Sequence, residues 1–250
     1  MLTSETGAEW ESAATVVEAG FDLRDPKLSV MPDGRLMLLM GGSVYDDCGE
    51  YLTRAPRVSF SEDGFKWTVP RRVLSEDHWL WRATWHDGRA YSLSKLGEGE
   101  EPRRGFLYSS ADGIEWEWIV EFKLPGVSET TLGFQTDGEM VALVRPGYVG
   151  RSRPPYREWS FSEMPDRIGG PNFILLPDGS LWGSGRLFTD EGPRTVLARM
   201  TTSTYEPVLT LPSGGDTSYA GMVWHDDLLW MSYYSSHEGG TNVYLARVRV

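Results

Sequence analysis

A short turn motif recurs at regular intervals along the chain, and it limits the possible folds more than any other feature. Residues 21–42 predict strand, tight turn, strand, and Pro32-Asp33-Gly34 predicts a three-residue hairpin loop with a left-handed glycine. The motif occurs five times, and successive turn aspartates are 54, 50, 41 and 48 residues apart. The turns are Asp33-Gly34, Asp87-Gly88, Asp137-Gly138, Asp178-Gly179 and the variant Asp226-Asp227.

A second pair of strands follows each hairpin, and units of about 40–50 residues with four antiparallel strands are typical of propeller blades. The fifth unit supplies three strands, so we expect residues 10–18 to add the fourth and close the ring. The sequence therefore predicts an all-β, five-bladed β-propeller that forms a single domain over residues 1–250. A β-sandwich of similar strand count is the alternative, but sandwiches do not repeat one turn at this interval.

Composition excludes several classes of protein. The net charge of −12 argues against nucleic acid as a partner, and no apolar run approaches the ~18 residues of a membrane helix. The N-terminus lacks the features of a signal peptide, so we expect a cytoplasmic protein for the chain as given, although a trimmed exported chain would look the same. The single Cys48 has no disulfide or metal-binding partner. No metal or cofactor is predicted. Residues 97–102 predict a solvated acidic loop, and the oligomeric state stays open.

Polar residues occupy matched positions in the repeats. The residue eight before each turn aspartate should face the residue eight after it, which places Glu129 opposite Arg145. These pairs should lie at one end of the hairpins, opposite the turns, where binding sites are common. The other predicted pairs are Asp25 with Gly41, Trp79 with Lys95, Gly170 with Arg186 and Ser218 with Tyr234.

The residues at this end are candidates for binding and catalysis of an anionic ligand. Guanidinium groups suit a carboxylate or phosphate, and a carboxylate beside a tyrosine hydroxyl can act as its base. Structural ion pairs and strand-end caps are the alternative interpretation. The candidate set is Arg24, Asp25, Arg82, Glu129, Arg145, Asn172, Arg186, Tyr219 and Tyr234.

Four features of the chain resemble the sialidase (neuraminidase) superfamily. They are Phe21-Asp-Leu-Arg24-Asp25-Pro26, Glu129-Thr-Thr-Leu followed by Leu143-Val144-Arg145, Tyr219-Ala-Gly-Met, and the two Asp-box-like turns Ser61-Glu-Asp63-Gly64-Phe-Lys-Trp67 and Ser110-Ala-Asp112-Gly113-Ile-Glu-Trp116. Both Asp-boxes are one residue short between Asp and Gly, and sialidases have six blades where we count five. The Asp-box marks the fold and not the activity.

The resemblance implies roles for individual residues. Glu129 would be the partner of a nucleophilic Tyr219, and Asp46 or Asp47 would be the acid/base residue. Arg24, Arg145 and Arg186 would hold a carboxylate. The implied activity is hydrolysis of a terminal glycoside that bears an anionic group.

A second resemblance is to the five-bladed arabinanase and fructosidase glycosidases. It implies that Asp25 is the base and Glu129 the acid, with a water molecule between them. The middle aspartate of those enzymes is missing, because Trp79-Leu80-Trp81-Arg82 stands at its place. Strand neighbours point to opposite faces, so Arg24 and Asp25 should not both enter the site. A propeller that binds carbohydrate without catalysis is a further alternative.

Overall fold

The computed structural model describes residues 1–97 and 102–250, and every regular element in these ranges is a β-strand. Most of the predicted acidic loop at 97–102 lies outside the described residues. Five antiparallel sheets follow one another along the chain and form the predicted five-bladed β-propeller. No helix of the described ranges is long and apolar enough to cross a membrane.

The chain separates into two compact units, one of residues 1–101 and 106–118 and the other of residues 102–105 and 119–250. The predicted single domain stays a prediction. In the first unit a short N-terminal hairpin precedes the first sheet, whose strands pair in chain order. The hairpin consists of β1 (Leu2–Thr3) and β2 (Glu11–Ser12). The first sheet consists of β3 (Asp22–Val30), β4 (Leu36–Tyr45), β5 (Tyr51–Ser61) and β6 (Arg71–Arg72).

The second sheet has the strand order β11-β10-β9-β7, and β8 also pairs with β9, so β7 and β8 act as one interrupted strand. Its strands are β7 (Trp79–Leu80), β8 (Thr84–His86), β9 (Arg89–Leu96), β10 (Arg104–Ser110) and β11 (Trp116–Phe122).

The third, fourth and fifth sheets belong to the second unit and also pair in chain order. The third has β12 (Thr130–Phe134), β13 (Met140–Val144), β14 (Tyr148–Ser152) and β15 (Ser160–Glu163). The fourth has β16 (Gly169–Leu175), β17 (Leu181–Thr189), β18 (Gly192–Met200) and β19 (Tyr205–Thr210). The fifth has β20 (Thr217–His225), β21 (Leu228–Ser235) and β22 (Asn242–Val248).

The strand expected at residues 10–18 pairs differently from the prediction. Its regular part, β2, pairs with β1, and the fifth sheet comprises three strands among the described residues. The strands β1 and β2 therefore form backbone hydrogen bonds with each other. The chain between them is much shorter than the chain that separates residues 10–18 from the fifth sheet, so this pairing costs less loop-closure entropy than the predicted one.

The five hairpin turns are of two types. In three of them the loop is as predicted: the left-handed Gly34 donates its N–H to Met31 O at 3.0 Å, and Gly138 and Gly179 do the same in their own turns. The other two are two-residue loops in which both residues have positive φ, as a type I′ turn requires. These are Asp87-Gly88 and Asp226-Asp227.

The first strands of three sheets share a β-bulge, which the sequence does not predict. The register shifts between Arg24 and Lys27 in β3, and β16 and β20 shift at the corresponding places. At each shift one residue has a left-handed backbone, with φ of 51° at Asp25, 54° at Gly170 and 55° at Tyr219. An extra residue in one strand changes which side chains oppose each other across the pair.

Two of the five predicted cross-strand pairs are wrong, because the bulges shift the register. Gly41 faces Arg24 and not Asp25. Arg186 likewise faces Gly169 and not Gly170. The remaining pairs are confirmed: Trp79 with Lys95, Ser218 with Tyr234, and Glu129 with Arg145, whose N–H donates to Glu129 O at 2.9 Å.

Each unit has its own apolar core. Met37, Leu39 and Val58 are fully buried members of the core in the first unit. In the second unit one cluster surrounds Leu143 and Val196, and another gathers residues of the fourth and fifth sheets. Each fully buried side chain of this size contributes roughly 1.5–3 kcal/mol to folding, so these cores fix the strands that present the polar residues described below.

Candidate functional site

The carboxylate of Glu129, in the second unit, accepts four hydrogen bonds. Arg145 Nη1 donates to both oxygens at 2.8 and 2.9 Å, Tyr219 Oη donates to Oε1 at 2.9 Å, and the N–H of Gly170 donates to Oε2 at 3.0 Å. The Glu129 side chain is only 12% exposed. These donors fix the carboxylate in one orientation, with the phenol hydroxyl of Tyr219 directly on it.

The local backbone explains how these groups meet. Glu129 precedes β12 and Arg145 follows β13, and the regular register of that pair places the two side chains next to each other. Tyr219 and Gly170 are the left-handed residues of the bulges in β20 and β16. The third sheet therefore provides the ion pair, and two bulges bring a phenol and an amide to it.

Arg145 is the cation of this cluster. Burial by itself would lower the pKa of its guanidinium, but the charge and hydrogen bonds of Glu129, with a smaller contribution from Tyr219, raise the pKa above its usual value. Arg145 therefore remains a fixed positive charge that stabilises negative charge on either partner.

A second ion pair lies at the other end of the same cluster. The rings of Tyr219 and Tyr234 stack with centroids 5.8 Å apart and an interplanar angle of 28°. Tyr234 Oη and Arg186 Nη1 each donate to Asp216 Oδ1 at 2.7 Å. We call the whole set the tyrosine network; its members are Arg145, Glu129, Tyr219, Tyr234, Asp216 and Arg186.

Side-chain bonds to the bulged backbone connect β12, β16 and β20. Thr131 Oγ1 donates to Pro171 O at 2.8 Å, and Ser218 Oγ donates to Gly169 O at 2.9 Å. Asn172 is buried, donates Nδ2 to Ala220 O at 2.8 Å and accepts the N–H of Phe173 at 2.9 Å. The amide of Asn172 thus holds strands together, and its predicted substrate-binding role stays a prediction.

The second unit thus brings together five of the predicted residues, namely Glu129, Arg145, Arg186, Tyr219 and Tyr234. Sequence reasoning missed Asp216. A signal for it exists, because Asp216 stands three residues before Tyr219, as Asp22 stands three before Asp25 in the first repeat.

In the first unit, Arg24 and Asp25 have different surroundings. Arg24 is 54% exposed, pairs with Asp22 at 2.5 Å and lies 5.6 Å from the centroid of the Tyr45 ring. Asp25 is half-buried at its bulge, and its backbone oxygen accepts a hydrogen bond from Lys27 Nζ at 3.0 Å. The two neighbours therefore differ in exposure, but regular strand alternation does not apply across the bulge at Asp25, so the expectation that they do not both enter the site stays a prediction.

The aspartates proposed as acid/base candidates follow β4. Asp46 Oδ1 accepts the N–H groups of Cys48 and Glu50 at 2.9 and 2.8 Å, so Asp46 closes a turn. Asp47 is exposed. Their catalytic roles stay predictions.

Arg82 lies half-buried in the same unit. Burial lowers the pKa of its guanidinium to about 10, so the group stays charged at neutral pH. Trp81 precedes Arg82 in the sequence, and Lys27 Nζ lies 4.1 Å from the centroid of its ring, in cation–π geometry. The predicted substrate-binding role of Arg82 stays a prediction. Nowhere in residues 1–97 and 102–250 do three His, Cys, Asp or Glu side chains gather as a metal site requires.

The chain is similar to solved structures of several proteins. It aligns over its full length with 83% of a Dyadobacter fermentans protein of unknown function, at 17% identity and a TM-score of 0.85. It also aligns over 97% of its length with a Trypanosoma rangeli sialidase in complex with sialic acid (14% identity, TM-score 0.73), and over 96% with a Bacteroides thetaiotaomicron endo-arabinase (16% identity, TM-score 0.64). The chain spans 48% of that sialidase and 98% of that endo-arabinase.

Both resemblances predicted from the sequence are therefore found among the solved structures. At these identities the likeness shows the fold. No protein-family model matches the chain, and no curated protein matches it.

Proposed function

We propose that the protein is a glycoside hydrolase that acts on a terminal sugar bearing an anionic group, with Tyr219 as its nucleophile. The observation that carries this proposal is the 2.9 Å hydrogen bond from the phenol of Tyr219 to the carboxylate of Glu129. A phenol is a weak nucleophile at neutral pH, and an adjacent base converts it to a phenolate as it attacks.

The reaction follows from this pair. Glu129 accepts the phenol proton, the phenolate oxygen bonds to the anomeric carbon, and the bond from that carbon to the leaving oxygen breaks. A general acid donates a proton to the leaving oxygen, and water then cleaves the bond between sugar and tyrosine. Arg145 faces both partners and stabilises the negative charge wherever it resides.

Two further observations support the proposal. Arg145 and Arg186 are the cations of the tyrosine network and suit a sugar carboxylate. The fold is also similar to those of a sialidase and an endo-arabinase, both of which are glycoside hydrolases. Fold alone does not assign activity, so the site carries the argument. The acid/base role of Asp46 or Asp47, the anion-binding role of Arg24 and the furanosidase alternative with Asp25 stay predictions.

Activity of purified protein on chromogenic sialosides and arabinofuranosides tests this mechanism. We expect Glu129→Gln and Tyr219→Phe each to lower kcat on a sialoside by roughly 10²–10⁴-fold, the usual effect of losing a catalytic base or nucleophile. Tyr244→Phe is a matched control, because Tyr244 donates to Glu238 at 2.8 Å outside the tyrosine network. Unchanged activity in both test variants would remove the mechanism. Binding of the sugars without any turnover would favour the non-catalytic alternative.

A further inference from the structure

We propose that Asp216 determines the charge selectivity of the site, because its carboxylate occupies the position on Arg186 and Tyr234 that a ligand carboxylate takes on binding. This inference rests on the proposed function only in assuming an anionic sugar. In this inference, Asp216 competes with the carboxylate of that sugar for Arg186 and Tyr234.

The two carboxylates of the tyrosine network are held very differently. Glu129 is 12% exposed and accepts four hydrogen bonds spread over both of its oxygens. Asp216 is 66% exposed, and the side-chain bonds described for it, from Arg186 and Tyr234, both end on Oδ1. Because the Asp216 carboxylate is largely exposed, water can replace the hydrogen bonds that it gives up, so Asp216 leaves its partners more readily than the buried Glu129 does.

The donors stay in position when Asp216 leaves. Arg186 lies on β17 and is only 14% exposed. Tyr234 lies on β21, and its ring is stacked on that of Tyr219. A Cβ on Gly169 would lie 3.1 Å from Arg186 Nε, so the absence of that side chain makes room for the guanidinium. Two rigid donors therefore converge on one point from two neighbouring sheets, a geometry that is prepared for an oxygen of a carboxylate.

The guanidinium of Arg186 also has a further hydrogen-bond donor, its Nε. Arg186 Nε is buried and makes no hydrogen bond to any residue within 1–97 or 102–250. A buried donor without a partner is unfavourable, and a ligand or a water molecule that reached it would remove this cost. Arg186 is therefore incompletely satisfied by Asp216.

The occupant identifies the ligand class. A planar, singly charged carboxylate already fits this place, so the ligand we infer is a sugar carboxylate. With Asp216 present, the network holds two arginines and two carboxylates and has no net charge, so an anionic sugar gains little attraction until Asp216 moves away. A neutral sugar brings no negative charge that could replace the charge of Asp216 on Arg186.

Calorimetric titration of two probes tests the proposal: glucuronate as the sugar carboxylate and xylose as the neutral sugar. In Asp216→Asn we expect glucuronate to bind roughly fivefold more tightly than in the unaltered protein, the size of one exposed charge interaction. Xylose binding should not change. Asp216→Glu keeps the competing charge and should bind glucuronate as the unaltered protein does.

Asp137→Asn is the matched control, because Asp137 is exposed to a similar extent as Asp216, 53% against 66%, and pairs with Arg153 at 2.7 Å outside the network. It should leave both affinities unchanged. Equal or weaker glucuronate binding in Asp216→Asn would overturn the proposal, as would no glucuronate binding in either protein. Since binding requires no turnover, an inactive protein that still shows the fivefold change would refute the hydrolase and keep this inference.

Discussion

Tyr219 combines an unfavourable backbone with a well-placed side chain. A left-handed conformation costs a residue with a bulky side chain of order 1–3 kcal/mol, whereas glycine adopts it freely. Gly170 takes the same position in β16 at no such cost. Backbone strain of this kind is concentrated at functional sites, and here it places a phenol on the Glu129 carboxylate.

His78 gives a pH-dependent prediction at the same scale. It is buried, its Nδ1 lies 2.9 Å from Ser94 Oγ, and burial lowers its pKa below the usual value near 6.5, an effect that Asp77 only partly opposes. The unfolded chain therefore binds a proton at a higher pH than the folded chain does. Stability is full above about pH 6.5 and falls as the pH decreases through the folded pKa.

We expect Tm to fall between pH 7 and pH 5, and the fall to be smaller in His78→Gln, as measured by thermal unfolding at closely spaced pH values. His225→Gln is the control, because His225 is mostly exposed. Parallel profiles for His78→Gln and the unaltered protein would contradict the prediction.

At the scale of elements, the two Asp-box turns have the same hydrogen bonds. In the second, Asp112 Oδ1 accepts the N–H groups of Ile114 and Glu115 at 2.8 and 2.9 Å, and Trp116 Nε1 donates to Gly113 O at 3.1 Å. The turn at Ser61–Trp67 repeats this arrangement. Missing one residue relative to the sialidase motif does not prevent the turn from forming.

We expect Asp112→Ala to lower the free energy of unfolding by about 1–2 kcal/mol, because two backbone donors lose their acceptor. Asp112→Asn keeps an acceptor oxygen and should lose less. Urea denaturation of the three proteins measures both effects. Equal midpoints for Asp112→Ala and the unaltered protein would show that the carboxylate does not hold the turn.

The sequence was sufficient for features that depend on neighbouring residues. Turn glycines and the pairing of Glu129 with Arg145 follow from local spacing, and the Asp-box turns from their resemblance to a known motif. The bulges were missed, because Asp25, Gly170 and Tyr219 share a backbone conformation but no side-chain type. Asp216 was missed for a related reason: it lies outside the predicted strand, and its partners come from β17 and β21.

At the scale of the whole molecule, the net charge of −12 is the dominant electrostatic property. Like charges repel in the compact state, and salt screens exposed charges over about 10 Å at 0.1 M ionic strength. Most ion pairs among the described residues are exposed and stabilise the fold little, so screening them with salt removes little stability.

We therefore expect Tm at pH 7 to rise when NaCl is increased from 10 to 200 mM. Near the sequence pI of about 4.8 the net charge vanishes, and the same addition should have little effect. Differential scanning calorimetry at the two pH values provides the comparison. A fall in Tm with salt at pH 7 would mean that attractive pairs outweigh the net repulsion.

The shared bulge also bears on how such a chain could have arisen. Three repeats keep one backbone shape at one position, and they differ there only in carrying aspartate, glycine or tyrosine. Copying of a single ancestral segment, followed by codon changes at that position, would leave this pattern. An ancestor with glycine there would already have had the shape, and a reactive group could have been gained later without rebuilding the main chain.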